Sequence, residues 1–139
     1  MSAKAFVDTN VLVYAHDAGA GERHRIAADL VRRLWQERTG IVSTQVLQEL
    51  WVNIRRKAER PVPREEALQL IEDYRRWEIV VNTAESVVEA IRLEGRYQIS
   101  FWDALIVHAA QSAGVETLYS EDLSEGQSYG PVEVVNPFE

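Results

Sequence analysis

Apolar side chains recur along this chain with two different periods, and their alternation predicts the fold. Ala5-Phe6-Val7 is a short unbroken apolar run that ends at an acid, Asp8, and reads as a strand. Val11-Leu12-Val13-Tyr14-Ala15 follows at once and either extends that strand or opens a helix. Asp17-Ala18-Gly19-Ala20-Gly21 then breaks the chain. Ala27, Leu30, Val31 and Leu34 sit at i, i+3, i+4, i+7, the spacing of an amphipathic helix, which Thr39-Gly40 ends. Ile41-Val42 is a second short strand. Ser43 or Thr44 is placed to cap a helix whose stripe is Leu47, Leu50, Trp51 and Ile54.

Pro61-Val62-Pro63 interrupts the helical pattern, and Pro63 suits the first position of the next helix. That helix carries Ala67, Leu70, Ile71 and Tyr74 as its stripe. Glu78-Ile79-Val80-Val81 reads as a third strand, and 84–95 as a helix with Gly95 near its C-terminal end. The run from Phe101 to Ala113 is apolar almost all round, which predicts a buried helix stopped by Gly114. Thr117-Leu118-Tyr119-Ser120 is a fourth strand and Val132-Glu133-Val134-Val135 a fifth. Short strands alternating with helices predict an α/β domain with a mainly parallel, five-stranded sheet. Its length of 139 residues, without repeats or an obvious linker, predicts a single domain over 1–139. In such sheets ligands gather at the C-terminal strand ends. Asp8 and Asp122 both lie just past predicted strand ends.

Composition narrows the chemistry. The chain has no cysteine, which excludes disulfides, thiolate metal sites and thiol nucleophiles and fits a reducing cytoplasm. The N-terminus meets Asp8 before any long apolar run forms, so it does not read as a signal peptide. No stretch approaches the roughly 20 apolar residues of a membrane span, and the expectation is a cytoplasmic protein with no membrane partner. The net charge of −7 is uneven. Residues 1–82 carry 13 basic and 12 acidic side chains, whereas 83–139 carry 2 basic (Arg92 and Arg96) and 10 acidic. Bound divalent cations would offset part of that acidic excess.

Four acids carry the candidate chemistry, and each also has a plain structural reading. Asp8, in Asp8-Thr9-Asn10, suits an N-cap. Glu49 suits an exposed helical glutamate on the side of Val46 and Asn53. Ser100 and Asp103 resemble a capping box, and Asp122 suits the cap of a turn. Asp103 is the hardest to dismiss. It sits inside an apolar segment, and no lysine or arginine follows Arg96 to balance it. Carboxylates gathered together repel one another, and a fold tolerates the cluster chiefly around a cation. Oxygen-only ligation with room for water suits Mg²⁺ or Mn²⁺.

The segments Phe6-Val7-Asp8-Thr9-Asn10-Val11-Leu12, Ser43-Thr44-Gln45-Val46-Leu47-Gln48-Glu49, Phe101-Trp102-Asp103-Ala104-Leu105-Ile106 and Leu118-Tyr119-Ser120-Glu121-Asp122-Leu123 resemble the PIN domain family. They are similar in particular to VapC-type ribonuclease toxins of bacterial toxin–antitoxin pairs. The resemblance spans nearly the whole chain in the family's order. It implies a three-layer α/β sandwich and an acidic metal site at the C-terminal strand ends. Asp8, Glu49, Asp103 and Asp122 match the family's carboxylates, with Asn10, Ser120 and Thr9 as supporting residues. It implies hydrolysis of RNA by metal-activated water, a cognate antitoxin, and a homodimer to which Trp35 and Trp51 are candidates to contribute.

Arg55, Arg56, Lys57, Arg60 and Arg64 are the candidate guides for RNA, with Arg23, Arg25, Arg32 and Arg33 as secondary candidates. A solvated helix end explains such a basic run equally well. His16, His24 and His108 share no metal-ligand spacing, and His108 reads as a hydrogen-bonded core residue. Trp35, Trp51, Trp77 and Trp102 read as core or interface rather than as surfaces for base stacking. Two alternatives stand beside the nuclease. One is an inactive domain of the same kind that binds RNA or protein. The other is a Mg²⁺-dependent phosphatase-like or receiver-like enzyme with Asp8 as nucleophile. The second lacks the acid a phosphatase wants at position 10, which is Asn, and has only Lys4 and Lys57 for the lysine both normally use.

Overall fold

A computed structural model describes residues 3–139. Met1 and Ser2, the start of the segment read above as no signal peptide, lie outside the described residues. The chain runs β1 (Ala5–Val7), α1 (Thr9–His16), α2 (Glu22–Glu37), β2 (Gly40–Ser43), α3 (Thr44–Arg56), α4 (Arg64–Tyr74), β3 (Glu78–Val80), α5 (Ala84–Tyr97), α6 (Phe101–Ser112), β4 (Thr117–Tyr119), β5 (Ser128–Tyr129) and β6 (Val132–Val135). The strands form one sheet in the order β3-β2-β1-β4-β6-β5, parallel except for the β5–β6 pair. Every residue of β1 and β2 is buried, as parallel strands covered on both faces require. The α/β sandwich is therefore as expected, with six strands instead of five. The extra strand has two residues, too short to leave a periodic signal, and pairs with β6 across a turn containing Gly130 at φ 62°.

The open choice at 11–15 resolves to helix. Asp8, extended at φ −73° and ψ 157°, caps α1 through its own carboxylate. Three boundary expectations shift. Pro63 is the N-cap of α4 rather than its first residue. Gly95 lies inside α5, which ends instead at Gln98 in the left-handed conformation (φ 57°). Arg38, also at φ 57°, ends α2 ahead of Gly40. Gly40 matters instead for packing, because a Cβ there would lie 2.4 Å from the Trp77 ring and only glycine lets that ring cover β2.

The core runs through Phe6, Val7, Leu12, Ile41, Val46, Leu50, Ile54, Val107 and Leu118. Trp35, Tyr74 and Trp77 pack edge on edge or tilted at 5.0–5.6 Å beside it. The expectation of a wholly buried α6 holds from Ala104 to Val107 but fails at its start, where Trp102 is 63% exposed. His108 is half-buried and 3.3 Å from the Ser112 hydroxyl, so it sits at the edge of the core rather than within it. Among the described residues no helix is long and apolar enough to cross a membrane.

The strand order fixes where a site belongs. From β1 the chain winds outward to β2 and β3, then returns to place β4 on the other side of β1. The switch point between β1 and β4 opens a crevice at the carboxyl ends of both strands. Val7 is in register with Tyr119, so Asp8 and Ser120 leave the sheet side by side.

Candidate active site

At that switch point Asp8 is only 5% exposed, yet among the described residues it has no cationic partner. Its hydrogen bonds are all with neutral donors. The Thr9 backbone N–H donates to Oδ1 at 2.7 Å, and the Ser120 hydroxyl to Oδ2 at 2.8 Å. Asn10 Nδ2 lies 3.5 Å from Oδ2, at the limit of a bond. Asn10 serves chiefly through its Oδ1, which accepts the Glu121 backbone N–H at 3.1 Å and ties α1 to the segment after β4. Ser120 works in both directions: while donating to Asp8, its oxygen accepts the Asp122 backbone N–H at 3.2 Å. The bend that carries Asp122 is thereby fastened to Asp8.

Glu49 projects from α3 and is held from two sides. The Thr9 hydroxyl donates to Oε1 at 2.8 Å, and Gln45 Nε2 to Oε2 at 3.3 Å. Gln45 also donates to the Trp102 backbone carbonyl at 3.2 Å, so one buried amide links Glu49 to the first turn of α6. Asp103 lies in that turn. Its backbone N–H donates to the Ser100 hydroxyl at 3.1 Å, one of the two bonds of the capping box expected from sequence; the Asp103 carboxylate does not return the other. Asp122 is exposed.

These residues share one open cleft of about 440 Å³, lined by Asp8, Glu49, Asp103 and Asp122 together with Thr9, Asn10, Gln45 and Lys57. Burial pushes the Asp8 carboxyl up to about 7; the Ser120 and Thr9 hydrogen bonds pull it down, and the Asp122 and Glu49 charges raise it further. Asp103 is raised too, first by burial, against its Ser100 bond, and then by Asp122 and Glu49. Acids 114 positions apart in sequence, from 8 to 122, thus sense one another's charge.

The acids line the cleft without closing around a point. Among the described residues, no three His, Cys, Asp or Glu side chains form a group ready to hold a metal ion. The donor chemistry fits a hard cation nonetheless. All four candidate ligands are carboxylates, burial raises the pKa of two of them, and none is ion-paired among the described residues. Mutual repulsion spreads such side chains until a counter-charge draws them in.

The basic residues separate into two groups. Of the cluster at the end of α3, only Lys57 lines the cleft. Arg55 and Arg64 lie over the Trp51 ring at 4.6 and 5.2 Å, and Arg56 and Arg60 are exposed. The secondary candidates are engaged elsewhere: Arg23 with Glu121, Arg25 with Glu22, Arg32 with Asp29 and Arg33 with the Tyr119 hydroxyl. Sequence reasoning passed over Gln45, whose i, i+4 spacing to Glu49 was its only signal. Of the two readings given to Trp102, core or interface, its exposure at the cleft wall overturns the first.

Three comparisons bear on this arrangement. The family model for the PIN domain matches residues 5–124. No curated protein matches the chain by sequence. Among solved structures, a toxin–antitoxin complex from Klebsiella pneumoniae is similar with a TM-score of 0.71 at 19% identity, over 98% of this chain and 99% of that one. VapC20 of Mycobacterium tuberculosis, described as a toxin that cleaves the sarcin–ricin loop, gives a TM-score of 0.67 at 24% identity, over 86% of this chain and 92% of its own. VapBC2 from Rickettsia felis, bound to a fragment of promoter DNA, gives 0.64 at 20% identity, over 94% and 96%. At these identities the structural likeness speaks for the fold.

Proposed function

The chain belongs to the PIN domain family, and from that premise we propose that it is a metal-dependent endoribonuclease of the VapC kind, the toxin of a toxin–antitoxin pair. The observation that carries this reading is the shared cleft: four carboxylates with no ion-pair partner among the described residues line one opening beside the sheet's switch point, together with a lysine. Family membership leaves the phosphatase-like alternative without support.

In this reading Asp8, Glu49, Asp103 and Asp122 hold Mg²⁺ or Mn²⁺. When bound, the cation supplies Lewis acidity at the phosphate and lowers the pKa of a coordinated water. The protein's own residues supply geometry. Thr9 and Ser120 fix both oxygens of Asp8, and Thr9 and Gln45 turn the Glu49 carboxylate into the cleft. Lys57 meets the phosphodiester and offsets part of the acids' repulsion of RNA. Water attacks phosphorus in line, the P–O3′ bond breaks, and the products carry a 5′-phosphate and a 3′-hydroxyl. The relatives described as toxin–antitoxin complexes support an antitoxin as partner; the whole chain as one cytoplasmic domain and a homodimer belong to the same proposal.

Asp8→Asn tests it. Replacing a buried, unpaired acid by its neutral isostere should leave the metal-free protein at least as stable at pH 8, because the desolvated charge is gone. Cleavage of mixed RNA in Mn²⁺ should fall by about 10²-fold or more. Undiminished cleavage by the folded variant, or full activity of the wild type in EDTA, refutes the proposal.

A further inference from the structure

We propose that Trp102 is the platform on which an unpaired nucleobase of the RNA stacks beside the scissile phosphate. The inference rests on the ribonuclease reading and names the form of RNA that site accepts. Trp102 precedes Asp103 in the first turn of α6 and lines the same cleft as the four acids and Lys57. The residue is 63% exposed, although a large indole gains most of its stability by burial. The backbone that carries the ring is fixed, because the Trp102 main-chain carbonyl accepts Gln45 Nε2 at 3.2 Å. The Phe101 ring meets the indole edge-on at 5.1 Å and supports one side of it. An indole has two side-chain torsions, so little freedom is lost when its open face stacks.

The surroundings favour RNA over a protein. An apolar protein contact would set this indole in an apolar patch, whereas the cleft beside it is lined mostly by polar groups, Asp8, Glu49, Asp103, Lys57 and the amides of Gln45 and Gln48, with Val52 exposed and Ile106 buried among them. A phosphodiester held at the acids brings its flanking base to the wall formed by the residue next to Asp103. Bases within a duplex are stacked on one another and present no free face, so the platform selects loops, bulges or single strands.

Steady-state cleavage in Mn²⁺ tests this, using a short fluorescein-labelled RNA of mixed sequence, free or annealed to its complement. Trp102→Ala is compared with Trp102→Phe, each checked for an unchanged melting curve. Loss of one stacked base should raise KM for the free strand about tenfold, with kcat changed less, and Phe should restore most of it. The wild type should prefer the free strand and Trp102→Ala should lose much of that preference. Light scattering on the same proteins covers the other reading. An unchanged KM, with or without dissociation of a dimer, overturns the platform and, where the dimer falls apart, makes Trp102 a contact between copies. If Asp8→Asn cuts like the wild type, the nuclease reading fails and takes the platform with it. If Asp8→Asn is inactive and Trp102→Ala is normal, the platform fails alone.

Discussion

Glu49 is held at the cleft by two uncharged donors on different elements, Thr9 on α1 and Gln45 one turn earlier on α3. Hydrogen bonds of this kind around ligating carboxylates set their direction, and losing one typically costs about 10–100-fold in metal affinity or activity. Gln45→Leu keeps the side chain's bulk and removes both of its bonds, to Glu49 and to the Trp102 carbonyl. The expected result is a loss of that size in Mn²⁺ affinity, measured by calorimetry, with partial recovery of cleavage at saturating Mn²⁺. Wild-type affinity in a folded Gln45→Leu protein contradicts the role. The four acids were legible in sequence as a set, through segments that resemble the PIN family, whereas each alone also suits a cap or an exposed helical position. Gln45 was not, because a polar residue in the first turn of a helix is unremarkable until its neighbours across the fold are known.

Between elements, α1 and α4 meet through a polar contact inside an aromatic cluster. His16 Nε2 and the Tyr74 hydroxyl share a hydrogen bond at 2.6 Å, and burial raises the pKa of that hydroxyl, so it stays protonated. Burial, and then the His24 charge, lower the His16 pKa from 6.5 to about 4. Below pH 6.5 the unfolded chain takes up a proton that the folded one refuses, so stability falls as pH drops towards 4, by up to about 3 kcal/mol. Asp8 acts in the opposite sense: its folded pKa is raised, and its contribution is lost as pH rises through about 7. His16→Gln leaves Asp8 in place, so the difference between the two proteins isolates the histidine. Melting curves at pH 7.5 and 4.5 should show the variant gaining on the wild type by roughly 5–10 °C on acidification. A constant difference excludes His16 as the acid-labile group. Caps and stripes made most helix positions legible from sequence. The helix ends at Arg38 and Gln98 were not, because non-glycine residues adopt the left-handed turn there and glycine was the expected signal.

Across the whole molecule, the net charge of −7 is concentrated in the half that supplies Asp103 and Asp122. On the proposed function a cation in the cleft relieves that repulsion and binds only the folded state, and so would stabilise it by mass action. At about a hundredfold excess over its Kd, Mn²⁺ should raise the melting temperature by roughly 5–10 °C at pH 8, and by much less in Asp8→Asn. Equal shifts in both proteins place the ion elsewhere. The parallel sheet followed from alternating short strands and helices, whereas the strand order, and with it the meeting of Asp8 with Ser120, came only with the fold. That meeting ties the two ends of the cleft to one pairing. The strand that puts Ser120 and Asp122 beside Asp8 follows it by more than a hundred residues. A fragment cut before β4 keeps Asp8, Glu49 and Asp103 but loses the hydroxyl that fixes one oxygen of Asp8, and the fourth acid with it. Under the proposed function such a fragment is a nuclease whose first carboxylate has lost its anchor.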